Sequence, residues 1–245
     1  MLHRFAFYGL LLFSLVFASC QKQDVIGSRD YKTLGTSAHQ ILAASPYSLL
    51  KIEIQYMPGF APDSASVTNL INFLNTYVNK PGGIQVVLQQ IAASGKAVLT
   101  IDEIVNIEKK NRTAFTEKNM LAVHILITDG SFNTSSILAT SYWNTSFCVF
   151  GKTIEDNLNA SGSLENSKLL TMLFEHEFGH LIGLVNQGSP TQTSHSDPSN
   201  RGHCINPDCL MYYDVEKSWV GGGSNFNIPT LDAACQADLR ANGGK

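Results

Sequence analysis

Short apolar runs alternate along this chain with longer segments of helical spacing. Leu49 to Tyr56 (LLKIEIQY) alternates apolar and polar positions, the period of a half-buried strand. Ser64 to Val78 places apolar residues at helical spacing behind a cap at Asp63 or Ser64, and Pro81-Gly82-Gly83 ends that unit. Ile84 to Ile91 predicts a second strand and Ile101 to Lys110 a second helix. Leu121 to Thr128 (LAVHILIT) is almost continuously apolar, which predicts a strand covered on both faces, with His124 as a core histidine. Leu138 to Tyr142 and Phe147 to Gly151 predict two more short strands. A helix follows from Leu164 onward, and Leu231 to Ala241 predicts a last one. Strands alternating with helices predict an α/β lobe with a mixed sheet.

The first 20 residues break this pattern. His3 and Arg4 precede an apolar run from Phe5 to Phe17, too short for a comfortable transmembrane helix. Phe17-Ala18-Ser19-Cys20 resembles a lipobox, so residues 1–20 read as a lipoprotein signal peptide with Cys20 as the lipid anchor. The expectation is an exported protein anchored to a bacterial membrane and facing the periplasm or the cell surface. Residues 21–44 are polar and mixed and read as a tether. Residues 45–245 suit one domain, and a monomer is expected.

Hydrophobic content of 44% is enough for a real core. A formal charge of −3, with no basic stripe, excludes nucleic acid as a partner. Apart from Cys20, four cysteines remain: Cys148, Cys204, Cys209 and Cys235. An even count in an exported chain predicts disulfides in one of three pairings; Cys204–Cys209 would close the short loop after His203 and leave Cys148 with Cys235. The competing reading is a cysteine-rich structural zinc site.

The chemistry is concentrated in His176-Glu177-Phe178-Gly179-His180. Positions four apart on a helix share one face, so His176 and His180 aim two imidazoles at one point. Two such histidines hold zinc, and a glutamate beside them takes a proton from water. Gly183 follows at a position where a left-handed residue ends a helix. The bland alternative is an exposed helix whose two histidines happen to lie four apart.

The pattern H-E-x-x-H-x-x-G-x-x-H marks the metzincins. This chain follows it through Gly183, then has Asn186 where the third histidine is expected. Downstream, His203-Cys204-Ile205-Asn206-Pro207-Asp208-Cys209-Leu210-Met211 resembles the archaemetzincin continuation, in which the third histidine is followed by Cys, x4, Cys, x, Met. The resemblance makes His203 the third zinc ligand and residues 186–202 a loop insertion. His195, Asp197 and Asn186 are its rivals. It makes Met211 the Met-turn methionine and gives Tyr213 a hydrogen bond to the developing oxyanion. It also implies a further, structural zinc held by additional cysteines. Here the chain departs, because Cys235 alone follows Cys209 and there is no C-x-x-C.

The fold the resemblance implies is an α+β/α/β metzincin-like zincin. An N-terminal lobe of mixed twisted sheet and helices comes first, then the active-site helix. A small irregular C-terminal lobe ending in a helix completes it. A peptide substrate would pair with an edge strand near Ala139 to Trp143. The expected activity is zinc-dependent hydrolysis of peptide or protein substrates, with Zn2+ on His176, His180 and His203 and Glu177 as general base. Two other readings stand beside it: a surface binding module that keeps a zinc site for shape, and a zinc amidase acting on cell-wall peptides.

Overall fold

The computed structural model describes residues 27–134, 137–158, 163–215 and 227–245. The predicted signal segment and Cys20 lie outside these residues.

The order of elements is α1 (Ala38–Leu42), β1 (Leu49–Tyr56), α2 (Ser64–Tyr77), β2 (Ile84–Gln90), β3 (Val98–Leu99), α3 (Ile101–Asn111), β4 (Met120–Thr128), β5 (Ser131–Phe132), β6 (Ala139–Trp143), β7 (Ser146–Phe150), α4 (Gly151–Leu158), α5 (Ser163–Leu181) and α6 (Ala233–Ala241). The main sheet runs β2-β1-β4-β7-β6. Its first four strands are parallel, and β6 closes one edge antiparallel to β7. This is the predicted mixed sheet. Helix α2 starts where Asp63 accepts from the Ala65 and Ser66 main-chain N–H groups. The capping box of Thr100 and Glu103 starts α3.

Strand β4 is buried from Leu121 to Thr128, as its apolar run requires. One core lies between the sheet and helices α2 and α5. There Phe147 meets the Phe178 ring edge-on at 6.2 Å and packs on Phe174. A smaller core on the other face gathers Met57, Leu99, Ile104, Leu126, Cys148 and Phe150. His124 is wholly buried in it and meets Gln55 Oε1 through Nε2 at 3.0 Å. Burial holds its pKa well below the ordinary imidazole value, so it sits neutral as a core residue. None of the helices among the described residues is long and apolar enough to cross a membrane.

Residues 27–44, expected as part of a tether, fold onto this body. Asp30 is fully buried and forms an ion pair with Arg112 at 3.3 Å. It also accepts from the Thr116 main chain. Arg112 reaches Glu108 at 2.7 Å as well, and its guanidinium lies over the Tyr31 and Phe115 rings. Asn144, beyond β6, accepts from the Lys32 N–H and donates to the Arg29 carbonyl. Polar residues that looked solvated in the sequence thus find buried partners more than 80 positions away.

Removing one member of such a buried charge cluster leaves the others uncompensated. Arg112→Met is expected to lower unfolding free energy by about 3–5 kcal/mol, read as a lower urea midpoint with earlier proteolysis between residues 27 and 44.

Candidate metal centre

Helix α5 carries both histidines of the motif on its buried face. His176 Nδ1 lies 2.8 Å from the Leu210 carbonyl oxygen and donates to it, so Nε2 keeps a free lone pair. That Nε2 stands 3.2 Å from His180 Nε2. Two nitrogens bound to one tetrahedral zinc at about 2.0–2.1 Å stand about 3.3–3.4 Å apart. The pair is therefore already spaced for one ion.

The third imidazole is His203. Candidate ligand atoms of His176, His180 and His203 all lie within 4.8 Å of one another. The His203 ring stands 5.4 Å from His176 and 5.0 Å from His180, centre to centre. Burial lowers His176 to about 4, and the neighbouring His203 adds to the shift. Burial also pushes His180 well below its ordinary value and lowers His203. All three are neutral at pH 7, the form that offers a lone pair to a metal.

The chain between the second and third histidines explains how they meet. Helix α5 ends at Leu181, and the chain reverses at Gly183 with φ +75°, where a Cβ would lie 2.6 Å from the Ala38 Cβ and from the Ser189 nitrogen. Val185 and Asn186 continue in the left-handed region. Asn186 is exposed and outside the cluster. Further on, Asp197 accepts from the Ser199 and Asn200 N–H groups, which forms a turn. Its own N–H donates to the His203 carbonyl at 2.8 Å. Asp197 thus shapes the loop that presents His203. His195 points elsewhere: its Nε2 meets Asp238 Oδ2 at 2.7 Å and its Nδ1 faces Cys204 Sγ at 3.4 Å.

Met211 is buried against α5 at Gly179, between the two histidines in sequence. A Cβ on Gly179 would fall 2.3 Å from Met211 Sδ, so the glycine between the two histidines is what lets the turn approach the helix. This packing reason for Gly179 has no signature in the sequence.

Glu177 is almost fully buried, and Oε2 accepts a 2.6 Å hydrogen bond from the Ser141 hydroxyl on edge strand β6. Sequence reasoning missed Ser141, because a lone serine in a short strand carries no motif. Both line a cleft of about 320 Å³ together with the three histidines, Leu34, Gln187 and Tyr213. Tyr213 is 37% exposed, its ring 4.9 Å from Tyr212.

The predicted disulfides are not present: Cys148, Cys204, Cys209 and Cys235 are all free and buried thiols. Cys148 belongs to the core between the sheet and α3, whereas Cys235 belongs to the larger core on the sheet's other face. Cys204 and Cys235 instead lie beside His195, and Cys209 lies beside Cys235.

Gly179→Ala gains up to about 1 kcal/mol in helix propensity, but overpacking a core costs typically about 1–3 kcal/mol. The expected net result is a lower thermal midpoint and weaker zinc retention, checked by calorimetry with and without a chelator.

No protein-family model matches the chain, and no curated protein is similar to it in sequence. Solved structures do resemble it. Metalloproteinase-II from Bacteroides fragilis aligns over 82% of this chain and 54% of its own, at 14% identity and a TM-score of 0.44, too low to carry an argument. Archaemetzincin from Methanopyrus kandleri aligns over 80% of this chain and 96% of its own, with a TM-score of 0.52 at 15% identity. The mixed sheet, the buried α5 and the small C-terminal lobe accordingly share the archaemetzincin fold.

Proposed function

We propose that the chain is a zinc-dependent peptidase of metzincin type, with His176, His180 and His203 as metal ligands. The observation that carries this reading is the meeting of three neutral imidazoles, two of them buried and one half-buried, with a buried carboxylate at one cleft. A zinc ion there would supply Lewis acidity, bringing the pKa of a water toward 7 and polarising the scissile carbonyl. A purely structural site needs no carboxylate beside it, and Glu177 faces the cleft with its second oxygen fixed by Ser141.

The residues divide the work. Glu177 accepts the proton of the attacking water as its oxygen bonds to the carbonyl carbon. It then returns that proton to the leaving amine as the C–N bond breaks. Ser141 fixes the carboxylate so that this transfer needs no rearrangement. Tyr213, which lines the cleft, would donate to the oxyanion. Edge strand β6 offers main-chain groups to an extended peptide lying across the cleft. The fold shared with archaemetzincin supports the assignment.

The same reading keeps the lipid anchor at Cys20 and an exported location. Mass spectrometry of the mature protein is expected to find its first residue to be Cys20, carrying acyl chains. An unmodified residue elsewhere would remove the anchor.

A positioned general base contributes about 10²- to 10⁴-fold. Glu177→Gln is therefore expected to reduce peptide turnover at least about 10²-fold while one zinc stays bound to the three histidines. Digestion of a peptide library, paired with metal analysis, measures both quantities. Full turnover by this variant would sink the mechanism.

A further inference from the structure

The main sheet has two edges, and they differ. Strand β6, beside the cleft, is irregular in its pairing with β7. Strand β2, at the far edge, is regular from Ile84 to Gln90, each residue in register with one of β1. Natural sheet edges are usually blunted by charge, proline or a bulge, because an open row of N–H and C=O groups pairs readily with another strand. β2 has none of these devices. Its sequence is IQVVLQQ, and no ionisable residue lies between Lys80 and Lys96. Val87 is 43% exposed and Leu88 48%.

The ladder with β1 fixes which main-chain groups are left over. The Leu50 N–H donates to the Gly83 carbonyl at one end, and the Ile91 N–H donates to the Tyr56 carbonyl at the other. Main-chain groups alternate in direction along a strand. The odd-numbered residues from Gly83 to Ile91 therefore serve β1, while Ile84, Val86, Leu88 and Gln90 turn their N–H and C=O groups outward. Among the described residues, β1 is the one strand paired with β2, and no main-chain hydrogen bond reaches it from the outer side.

An identical strand fits this edge. Laid antiparallel about a two-fold axis through Val87, a second β2 sets Val86 against Leu88 and Ile84 against Gln90, in both directions. These are the residues whose groups point outward, so each free N–H meets a free C=O. The two strands would exchange about eight main-chain hydrogen bonds, close to the roughly ten direct bonds of a typical interface. The side chains match as well. Val87 meets Val87 and Gln85 meets Gln89 on one face, and Val86 lies beside Leu88 on the other. β2 offers a foreign strand the same ladder but no charge by which to select it. The two-fold arrangement is self-complementary, as the commonest dimer interfaces are.

We infer that β2 is the docking edge for a second copy of this chain, which joins two five-stranded sheets into one. The junction lies at the end of the sheet away from β6, so the cleft of each copy stays open. Nothing in this pairing rests on the peptidase reading.

Sedimentation of the full chain over a range of concentrations is expected to show a shift to twice the chain mass. Val87→Lys places two like charges opposite each other. It is expected to abolish that shift and leave the far-ultraviolet dichroism unchanged. Single cysteines read the register, with the unvaried chain as control, since Cys148, Cys204, Cys209 and Cys235 are buried. Two opposed Val87 Cα atoms would stand about 4.5 Å apart, within the reach of a disulfide. Val87→Cys is therefore expected to link to itself under mild oxidation. Gln85→Cys and Gln89→Cys are expected to link to each other when mixed. Neither is expected to link to itself, because like positions lie roughly 14 Å out of step along the strands. A chain that keeps a single mass at every concentration would overturn the inference, as would a dimer that survives Val87→Lys. Self-links at Gln85→Cys or Gln89→Cys as strong as those at Val87→Cys would overturn it too, and this pattern decides the matter even if Val87→Lys unfolds.

Discussion

Two imidazole nitrogens held 3.2 Å apart on the wall of a cleft need a proton or a cation between them. Much of the C-terminal half of the molecule is arranged around that demand. The Leu210 carbonyl takes the far proton of His176 and leaves the near lone pair free. Burial keeps all three rings neutral. The reversal at Gly183 ends the helix, and the Asp197 turn brings a third ring back to the same point. Each device has an ordinary chemical cause, and together they leave one position for a positive charge.

The sequence was informative wherever a period or a fixed spacing carried the signal. The strand at Leu121–Thr128, the capped helix at Ser64 and the histidine pair on α5 all declared themselves this way. His203 followed from its pairing with Cys204 and Met211, not from any periodicity. What failed were the inferences from composition alone. Residues 27–44 looked like tether because Asp30 and Lys32 are polar, and their partners Arg112 and Asn144 are far away in sequence. Cysteine parity suggested disulfides, but thiols and thiolates are counted the same way as bridges. His195 stood as a rival to His203, and only the folded chain shows it turned away toward Asp238.

Packing accounts for the features with no linear signature. Gly179 is a poor helix residue, and only the sulfur of Met211 beneath it explains its presence. Helix α4, directly after β7, begins at Gly151, where any Cβ would meet the Thr128 carbonyl at 2.7 Å. These are close approaches between segments distant in sequence, and no local pattern encodes them.

Strand β6 is both the open edge of the sheet and the strand that supplies Ser141 to Glu177. Side chains alternate across a strand, so a slip of one position would offer Thr140 or Tyr142 to the carboxylate instead. The pairing of β6 with β7 is irregular between Ser141 and Trp143, immediately beside that serine. Alignment of an edge strand is usually a matter of folding alone. In this molecule it also sets which side chain meets the Glu177 carboxylate, so any ligand that tugs on β6 acts on that carboxylate through one hydroxyl.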